Sequence, residues 1–306
     1  MKKCCFVIVM LLFVSYFLMC PIQAMESSKN GLMLWFTQLL PALLPFTVFS
    51  YVILRSNILN GFSKKKTILL SPEEFYVICC GFLFGFPIGS KLTTDLYRQK
   101  RISKEQAELL FVFSNNLSPV FISSVLKNQL HITTFFRHFL ILYGIPLLIG
   151  CISLLRLNGK TNFKERFLGQ RKTASRFEIN MQIVDAGIIH GFETLIKLCG
   201  YIILFSILSE MIMQLPIGNP YCKLFVVGFT EVTNGMSQIT HFTENNRLQY
   251  LYAIFFLSWG GLSGFFQTAS IVSSTDLSMK QYLKRRLSYV TLSVFVAYLC
   301  LTFGIV

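Results

Sequence analysis

Residues 85–95 form a short polar segment whose side chains are the most suited to binding a ligand. Inside an apolar run it holds Pro87, Gly89, Ser90, Lys91 and Thr94. At bilayer depth such a break is tolerated only where its backbone groups face protein or a watery cavity. A charge at that depth costs from ~3 to more than ~10 kcal/mol, so it usually marks a pathway. We predict half of a binding site, in which Lys91 attracts an anion; a lysine that snorkels to the cytoplasmic face is the alternative.

A second polar cluster interrupts the apolar run 222–242 and consists of Glu231, Thr233, Asn234 and Gly235. A carboxylate inside a membrane segment suits a coupling proton or sodium ion, or accepts a hydrogen bond from a bound substrate. We therefore predict that Glu231 takes part in binding or coupling. The alternative is a structural contact that holds this segment closed.

Polar residues and glycines interrupt two further apolar runs. They are Asn115, Asn116, Ser118, Gly260, Gly261, Ser263 and Gln267. Amide and hydroxyl side chains both donate and accept hydrogen bonds, so they can line a polar site without a desolvated charge. Hydrogen bonding between helices is the alternative role. Glu193 and Lys197 lie four residues apart, which predicts an ion pair on one helix face, and Asp95 and Asp276 are predicted to cap helices.

Composition excludes a soluble domain and indicates a polytopic membrane protein. Apolar residues make up 53% of the 306 positions, 31 residues are Phe, and only 14% are charged. The nine cysteines lie mostly in apolar runs without metal-ligand spacing, so we expect no metal or cofactor. The chain lacks a Walker phosphate-binding loop, a zinc-protease His-Glu-x-x-His motif and a Gly-x-Ser-x-Gly nucleophile elbow, so we expect neither ATP drive nor enzymatic activity.

The apolar pattern predicts an all-α membrane protein with seven spans and two re-entrant hairpins. The predicted spans are 4–20, 31–54, 106–126, 133–155, 183–213, 248–274 and 287–306, and the hairpins are 75–97 and 222–242. We divide the chain into an N-terminal span (1–30), a first gate-like repeat (31–156), a basic cytoplasmic linker (157–182) and a second repeat (183–306). A cleaved signal peptide is the alternative for the first span.

The two repeats show the same order of elements: a kinked span, a broken hairpin, a span broken at its middle and a plain span. Each repeat makes three crossings, so the second repeat must enter the membrane inverted. This is the plan of many secondary transporters, whose binding site lies between the repeats near the midplane.

The distribution of Lys and Arg favours re-entrant hairpins. Of the 28 such residues, re-entry places five outside the cell, namely Lys29, Lys127, Arg137, Lys223 and Arg247. Lys91 and Lys197 remain within the membrane, which leaves 21 on the cytoplasmic side. Crossing hairpins would instead divide the same loop cations evenly, against the rule that they accumulate in the cytoplasm. The N-terminus is therefore predicted to be cytoplasmic and the C-terminus outside. The basic loops are short and alternate with spans, which argues against binding of nucleic acid.

Several of these motifs together resemble a known family. The stretches are 85–92, 95–98, 102–108, 115–121, 200–206, 231–235 and 260–263, followed by Gln267. They resemble the sporulation integral membrane proteins of the YlbJ type across roughly residues 31–286. The resemblance implies a nucleoside-recognition or gate domain, distantly similar to concentrative nucleoside transporters. It also implies a role in endospore formation, with export of dipicolinate from the mother cell.

The leading hypothesis is a secondary transporter of a small polar or anionic metabolite, with dipicolinate suggested by the resemblance. The alternative is a membrane scaffold in a sporulation complex that does not transport. Expected partners are the substrate, the lipid bilayer, a coupling proton or sodium ion, and further copies of the chain. The expected location is the cell membrane, with the outer forespore membrane suggested by the resemblance. Substrate identity, coupling ion, direction and oligomeric state stay open.

Overall fold

The computed structural model describes residues 2–56, 70–132, 135–160 and 180–304, excluding the side chains of 2–6 and 158–160. Every regular element in these ranges is a helix, which confirms the all-α prediction. In the first half the helices are α1 (Lys2–Met19), α2 (Pro21–Leu34), α3 (Leu40–Arg55), α4 (Pro72–Phe84), α5 (Ile88–Arg98), α6 (Lys104–Phe113), α7 (Pro119–Leu130), α8 (Phe136–Phe139) and α9 (Ile145–Lys160). In the second half they are α10 (Met181–Gln214), α11 (Pro220–Thr230), α12 (Val232–Phe242), α13 (Asn246–Trp259), α14 (Gly261–Val272) and α15 (Met279–Thr302).

By length and composition, three helical stretches among the described residues can cross a bilayer: Pro21–Arg55, Phe136–Leu157 and Met181–Gln214. They establish a membrane protein, and the count of seven spans stays a prediction. The first of these stretches begins before residue 31, so the predicted boundary between residues 30 and 31 lies inside α2. Most of the predicted linker 157–182 lies outside the described residues.

Two of these long helices contain a π-helical turn, and each turn lies just before a proline. The turn Trp35–Leu39 precedes Pro41, and the turn Leu140–Gly144 precedes Pro146. Proline has no N–H to donate, and its ring clashes with the carbonyl four residues earlier. A wider turn accommodates that clash without ending the helix. In the predicted kinked span, 31–54, the irregular turn therefore lies just before Pro41.

The two broken segments form helical hairpins, α4–α5 and α11–α12. The 13 residues of α4 and the 11 of α5 extend only ~20 Å and ~17 Å at 1.5 Å per residue, against a hydrocarbon core of ~30 Å. Glycines allow close packing at both hairpins. A Cβ on Gly89 would clash with the Ser114 carbonyl oxygen, and one on Gly235 would clash with the backbone of Gly228. Limbs this short support re-entry, which stays a prediction.

The same order of elements occurs twice: a long helix (α2–α3, then α10), a hairpin, a helix pair separated by a break (α6–α7, then α13–α14) and a closing helix (α9, then α15). Two large hydrophobic cores show how these elements pack. Leu92 and Leu110, from the first hairpin and α6, share one core with Val272 of α14. Met236 and Phe256, from the second hairpin and α13, share the other with α7. Each broken helix pair therefore passes from one core to the other, and both breaks lie at the boundary between them.

Arg286, one of the 21 cations predicted on the cytoplasmic side, is not part of an exposed loop. It lies two turns inside α15 with only 1% of its surface exposed. Twenty loop cations then remain on the predicted cytoplasmic side, still far more than the five opposite. The residues Lys64, Lys65 and Lys66, and the loop near Lys172, lie outside the described residues.

The predicted orientation can be tested at Lys100, an exposed residue in the turn between α5 and α6. Its φ of 58° is left-handed, and cysteine should tolerate this about as well as lysine does, since both carry a Cβ. We expect Lys100→Cys to react with a membrane-impermeant thiol reagent only from the cytoplasmic side. Cysteines at Lys65 and near Lys172 should behave likewise. Labelling of position 100 from outside the cell would exclude re-entry of the first hairpin.

Candidate binding site at the helix breaks

A cavity of about 220 Å³ lies between the first hairpin, α10 and α14. Three cationic side chains line it: Lys91 and Arg98 from α5, and Lys197 from α10. Hydroxyl groups surround them, contributed by Thr94, Thr194, Tyr201, Ser270, Ser273 and Ser274. We call this space the cationic cavity. Ammonium, guanidinium and hydroxyl donors together form an environment that suits an anion.

The charges of the cationic cavity are only partly neutralised. Lys91 Nζ lies 3.2 Å from Asp95 Oδ1, one turn further along α5, and both side chains are about a quarter exposed or less. Lys197 has no ion pair among the described residues. The predicted pair between Glu193 and Lys197 is absent, because Glu193 Oε2 instead lies 3.4 Å from His190 Nδ1. The cavity thus holds three cations against one carboxylate.

Lys197 lies at the middle of α10, whose 34 residues extend ~51 Å. The helix is longer than the bilayer is thick, and the backbone of Lys197 is about equally far from its two ends. Most charges at such a depth face the protein interior or a water-filled cavity, because hydrocarbon solvates them poorly. Lys197 is exposed in this structure and borders the cationic cavity, where this rule would place its charge.

A second cavity, of about 380 Å³, lies against the second hairpin. We call it the acidic cavity, because Glu231 is the ionisable residue that lines it. Its walls are mostly apolar, with Phe46, Phe84 and Phe86 among them. Its polar lining includes Gln38, Ser118, Ser124, Thr233, Ser263 and Gln267.

Glu231 is 4% exposed and lies where α11 ends and α12 begins. Its Oε2 accepts hydrogen bonds from the Asn234 N–H, at 2.8 Å, and from the Thr233 hydroxyl. The carboxylate therefore caps α12, where the helix dipole favours a negative charge. No basic residue in the described ranges forms an ion pair with it. A capping carboxylate that also lines a cavity keeps both predicted roles open, structural and functional.

Gln267 of α14 lines both cavities and lies between them. Its side chain is 7% exposed, and its Nε2 donates to Ser263 Oγ over 2.9 Å. The tip of the first hairpin approaches the same helix, since a Cβ on Gly264 would clash with the Phe86 ring. A molecule that moved between the cavities would therefore pass Gln267 and the tip of the first hairpin.

Behind the cavities, Arg286 lies between the break that follows α6 and the break that follows α13. Its Nη1 donates to the Asn115 carbonyl oxygen at 2.9 Å and to Asn116 Oδ1 at 3.0 Å, just after α6 ends. Its Nη2 lies 3.6 Å from where a Cβ on Gly260 would stand, at the C-terminus of α13. The Tyr289 ring is 5.1 Å from the guanidinium carbon. The Nε and Nη2 groups have no acceptor among the described residues.

This environment explains how a buried guanidinium is accommodated without a carboxylate. The C-termini of α6 and α13 both carry partial negative charge, and each favours a cation by up to ~2 kcal/mol in a partly buried geometry. The aromatic ring adds a cation–π attraction. Asn115 is held in turn, because its Nδ2 donates to Thr268 Oγ1 at 2.9 Å and contacts Tyr282 Oη at 3.3 Å.

The predicted site residues divide into three groups. Pro87, Lys91, Thr94 and Gln267 line the cationic cavity, whereas Ser118, Glu231, Thr233, Gly260, Ser263 and again Gln267 line the acidic cavity. The remaining residues lie on neither wall and support the breaks from behind: Gly89, Ser90, Asn115, Asn116, Asn234, Gly235 and Gly261. Ser90 is typical of them, since its hydroxyl donates to the Pro87 carbonyl at 2.8 Å. The predicted single site is therefore two adjoining cavities, and ligand binding by these residues stays a prediction.

Three cations lie in places that the sequence pattern does not predict. Arg98 is one of the 21 cations predicted on the cytoplasmic side and Lys197 is predicted in an ion pair, yet both line the cationic cavity. The position of Lys197 at the centre of a predicted span was a signal for a pathway residue. For Arg286 the signal was helical periodicity, since it lies four residues after Tyr282 and three before Tyr289, which are both buried.

Comparison with known proteins gives one informative similarity. The chain is 27% identical, over 90% of its length, to the sporulation integral membrane protein YlbJ of Bacillus subtilis (strain 168), and the match covers 77% of that protein. No protein-family model matches the chain, and no solved structure matches it. The similarity extends over nearly the whole chain, as the resemblance of the separate motifs predicts. This similarity supports assignment of the chain to the YlbJ type of sporulation integral membrane proteins.

Proposed function

We propose that this chain is a secondary transporter that moves a small polar or anionic metabolite by alternating access during endospore formation. The observation that carries the proposal is the pair of cavities, one cationic and one acidic, that adjoin at Gln267. Both lie where the hairpins and broken helices of two similar halves meet. Binding sites at broken helices between repeats are characteristic of secondary transporters.

The chemistry of the cationic cavity supports an anionic substrate. Three cations line the cavity and only Lys91 pairs with a carboxylate, that of Asp95, so the cavity has a net positive charge. The Tyr201, Ser270 and Ser274 hydroxyls are donors for a bound anion. A volume of about 220 Å³ suits a small metabolite rather than a peptide or a lipid. Dipicolinate, the substrate class suggested by the family resemblance, carries two carboxylates on a small aromatic ring. We further propose location in the cell membrane or the outer forespore membrane, with a cytoplasmic N-terminus and an external C-terminus.

Uptake into sealed vesicles tests the proposal. We expect vesicles containing the purified chain to accumulate radiolabelled dipicolinate faster than protein-free vesicles, and a neutral nucleoside more slowly than dipicolinate. An imposed proton or sodium gradient should change the rate. A correctly inserted protein that transports neither compound under any gradient would contradict the proposal and favour the scaffold alternative.

Glu231→Gln separates the coupling role of Glu231 from its capping role. Glutamine keeps the shape and a side-chain oxygen for the Asn234 N–H, but it cannot be ionised. If Glu231 carries the coupling proton, gradient-driven uptake should fall at least tenfold, about 1.4 kcal/mol, while membrane insertion stays normal. The matched variant Glu210→Gln alters an acidic residue of α10 that lines neither cavity, and it should transport like the wild type. Unchanged uptake by Glu231→Gln at every pH would assign the carboxylate to capping alone.

A further inference from the structure

A third cavity, a groove of about 360 Å³, opens between α6, α9 and α15 and shares no lining residue with the cationic or the acidic cavity. Apolar side chains line one part of it, namely Leu109, Val112, Phe113, Pro146 and Ile149. Polar side chains line the other part, namely Ser153, Gln281, Lys284, Arg285 and Ser288. We call it the lateral groove.

The polar and apolar parts follow one another along the helices. The Tyr289 hydroxyl donates to the Leu142 carbonyl at 2.9 Å, so the deep end of the groove lies where α15 meets the start of α9 near Pro146. Lys284 lies toward the N-terminus of α15 from Tyr289, and Ser153 lies toward the C-terminus of α9 from Pro146. Both residues are at the polar end of the groove. The groove thus changes from apolar to cationic in the direction in which a bilayer changes from acyl chains to headgroups.

The polar end has an excess of positive charge. Lys284 is exposed and has no ion pair among the described residues, whereas Arg285 Nη1 donates to the Glu108 carbonyl over 2.7 Å. The Glu108 carboxylate is engaged elsewhere, since it accepts from the Ser278 N–H at 3.2 Å. Lys280 lies one turn from Lys284 along α15. The opposing charges on these helices are the Glu108 carboxylate and Glu105, one turn before Leu109 on α6, so the three cations Lys280, Lys284 and Arg285 outnumber two carboxylates.

We propose that the lateral groove binds an anionic phospholipid, with its phosphate against Lys284 and Arg285 and an acyl chain along Val112 and Ile149. Basic pockets between membrane helices are suited to acidic headgroups. The Ser153 and Ser288 hydroxyls line the same groove and donate to the Ile149 and Lys284 carbonyls, at 2.6 Å and 3.1 Å. Net charge distinguishes this occupant from a zwitterionic lipid such as phosphatidylcholine, because the cationic choline of that lipid offsets the attraction of its phosphate to the cationic end. This binding site is independent of the transport proposal.

Lipid binding by the purified full-length chain tests the proposal directly. The probes are phosphatidylglycerol and phosphatidylcholine with identical acyl chains, titrated into a neutral detergent and followed by native mass spectrometry. We expect phosphatidylglycerol to bind at least tenfold more tightly than phosphatidylcholine. Lys284→Gln should weaken phosphatidylglycerol binding about fivefold, the value expected for one interfacial cation. Ser153→Phe should weaken it without a change of charge, because the ring fills the groove where headgroup and chain meet.

Arg247→Gln is the matched control, since it removes an exposed cation of α13 that lines none of these cavities. It should leave phosphatidylglycerol binding unchanged. Equal affinity for the two lipids, or equal losses in Lys284→Gln and Arg247→Gln, would overturn the proposal. A dimer in detergent that Ser153→Phe dissociates would overturn it as well, because a second copy of the chain would then occupy the groove.

Discussion

Arg286→Lys is expected to destabilise the folded protein more than Arg286→Met, although lysine keeps the positive charge. One guanidinium nitrogen serves two acceptors, Asn115 O and Asn116 Oδ1, while the planar group also reaches the C-terminus of α13 and the Tyr289 ring. A lysine ammonium is more strongly hydrated and lacks the planar fork, so its burial costs as much or more while it makes fewer contacts. We expect a loss of about 3–5 kcal/mol, the size seen when a buried charge loses its partners.

Methionine removes the charge as well as its hydrogen bonds. The two acceptors near the end of α6 are then left without this donor, which costs about 1–3 kcal/mol each. The absence of a desolvated charge offsets part of that loss. We therefore expect Arg286→Met to be about 1–2 kcal/mol less stable than the wild type, and so more stable than Arg286→Lys.

Denaturation midpoints of the purified variants in one detergent measure this order. Arg285→Lys is the matched control, because the neighbouring Arg285 is partly exposed and makes a contact with the Glu108 carbonyl that lysine can replace. It should change stability by less than about 0.5 kcal/mol. If Arg286→Lys proved as stable as the wild type, the guanidinium would not be bridging the two breaks.

Lys197→Met is expected to reduce transport of an anionic substrate at least tenfold, with normal insertion of the protein. Lys197 is central in α10, lines the cationic cavity and has no carboxylate partner among the described residues. Its full charge is therefore free to attract a bound anion. Methionine keeps most of the side-chain volume, so packing along α10 should be preserved. The tenfold loss corresponds to about 1.4 kcal/mol of lost attraction.

The Lys91 variants provide an internal comparison. Lys91→Met leaves Asp95 unpaired beside the cavity, so it adds repulsion of the anion to the lost attraction. Lys91→Met with Asp95→Asn removes the pair as a whole and should recover part of the activity. We expect the uptake rate, measured beside a membrane-expression control, to be highest in the wild type, lower in the double variant and lowest in Lys91→Met. Wild-type uptake by a normally expressed Lys91→Met protein would show that this lysine only snorkels, and the same result for Lys197→Met would remove the cationic cavity from the pathway.

The predictions for Arg286 and for the cavity lysines depend on one architectural feature: each broken helix pair runs from one hydrophobic core to the other. Each broken helix pair contributes residues to both cores, so a structural change at one break should alter the packing of both halves. Arg286 lies at that crossing, and Gln267 lies beside it between the cavities. Movement of one hairpin relative to the other would therefore alter both cavities together, as alternating access requires.

Composition and local pattern are enough to establish the class of fold and the positions of the breaks. A chain so apolar has to place its backbone in helices at membrane depth, because no water is present there to satisfy free N–H and C=O groups. Under the same constraint, glycine and proline inside an apolar run predict a helix break from the local sequence alone. Gly85–Pro87 and the pair Gly260–Gly261 are examples. The order of elements, and hence the twofold pattern, follows from those positions.

Only the packing of helices decides which side chains meet. Glu193 and Lys197 satisfy the spacing of a helical ion pair, yet side-chain rotation directs one toward His190 and the other into a cavity completed by a different helix. In the same way, Arg286 follows Lys284 and Arg285 in a run that resembles a basic loop. It is buried because helical rotation turns it to the face shared with Tyr282 and Tyr289, where the residues that follow α6 supply its acceptors. Such contacts join residues about 170 positions apart along the chain, and local spacing carries no information about them.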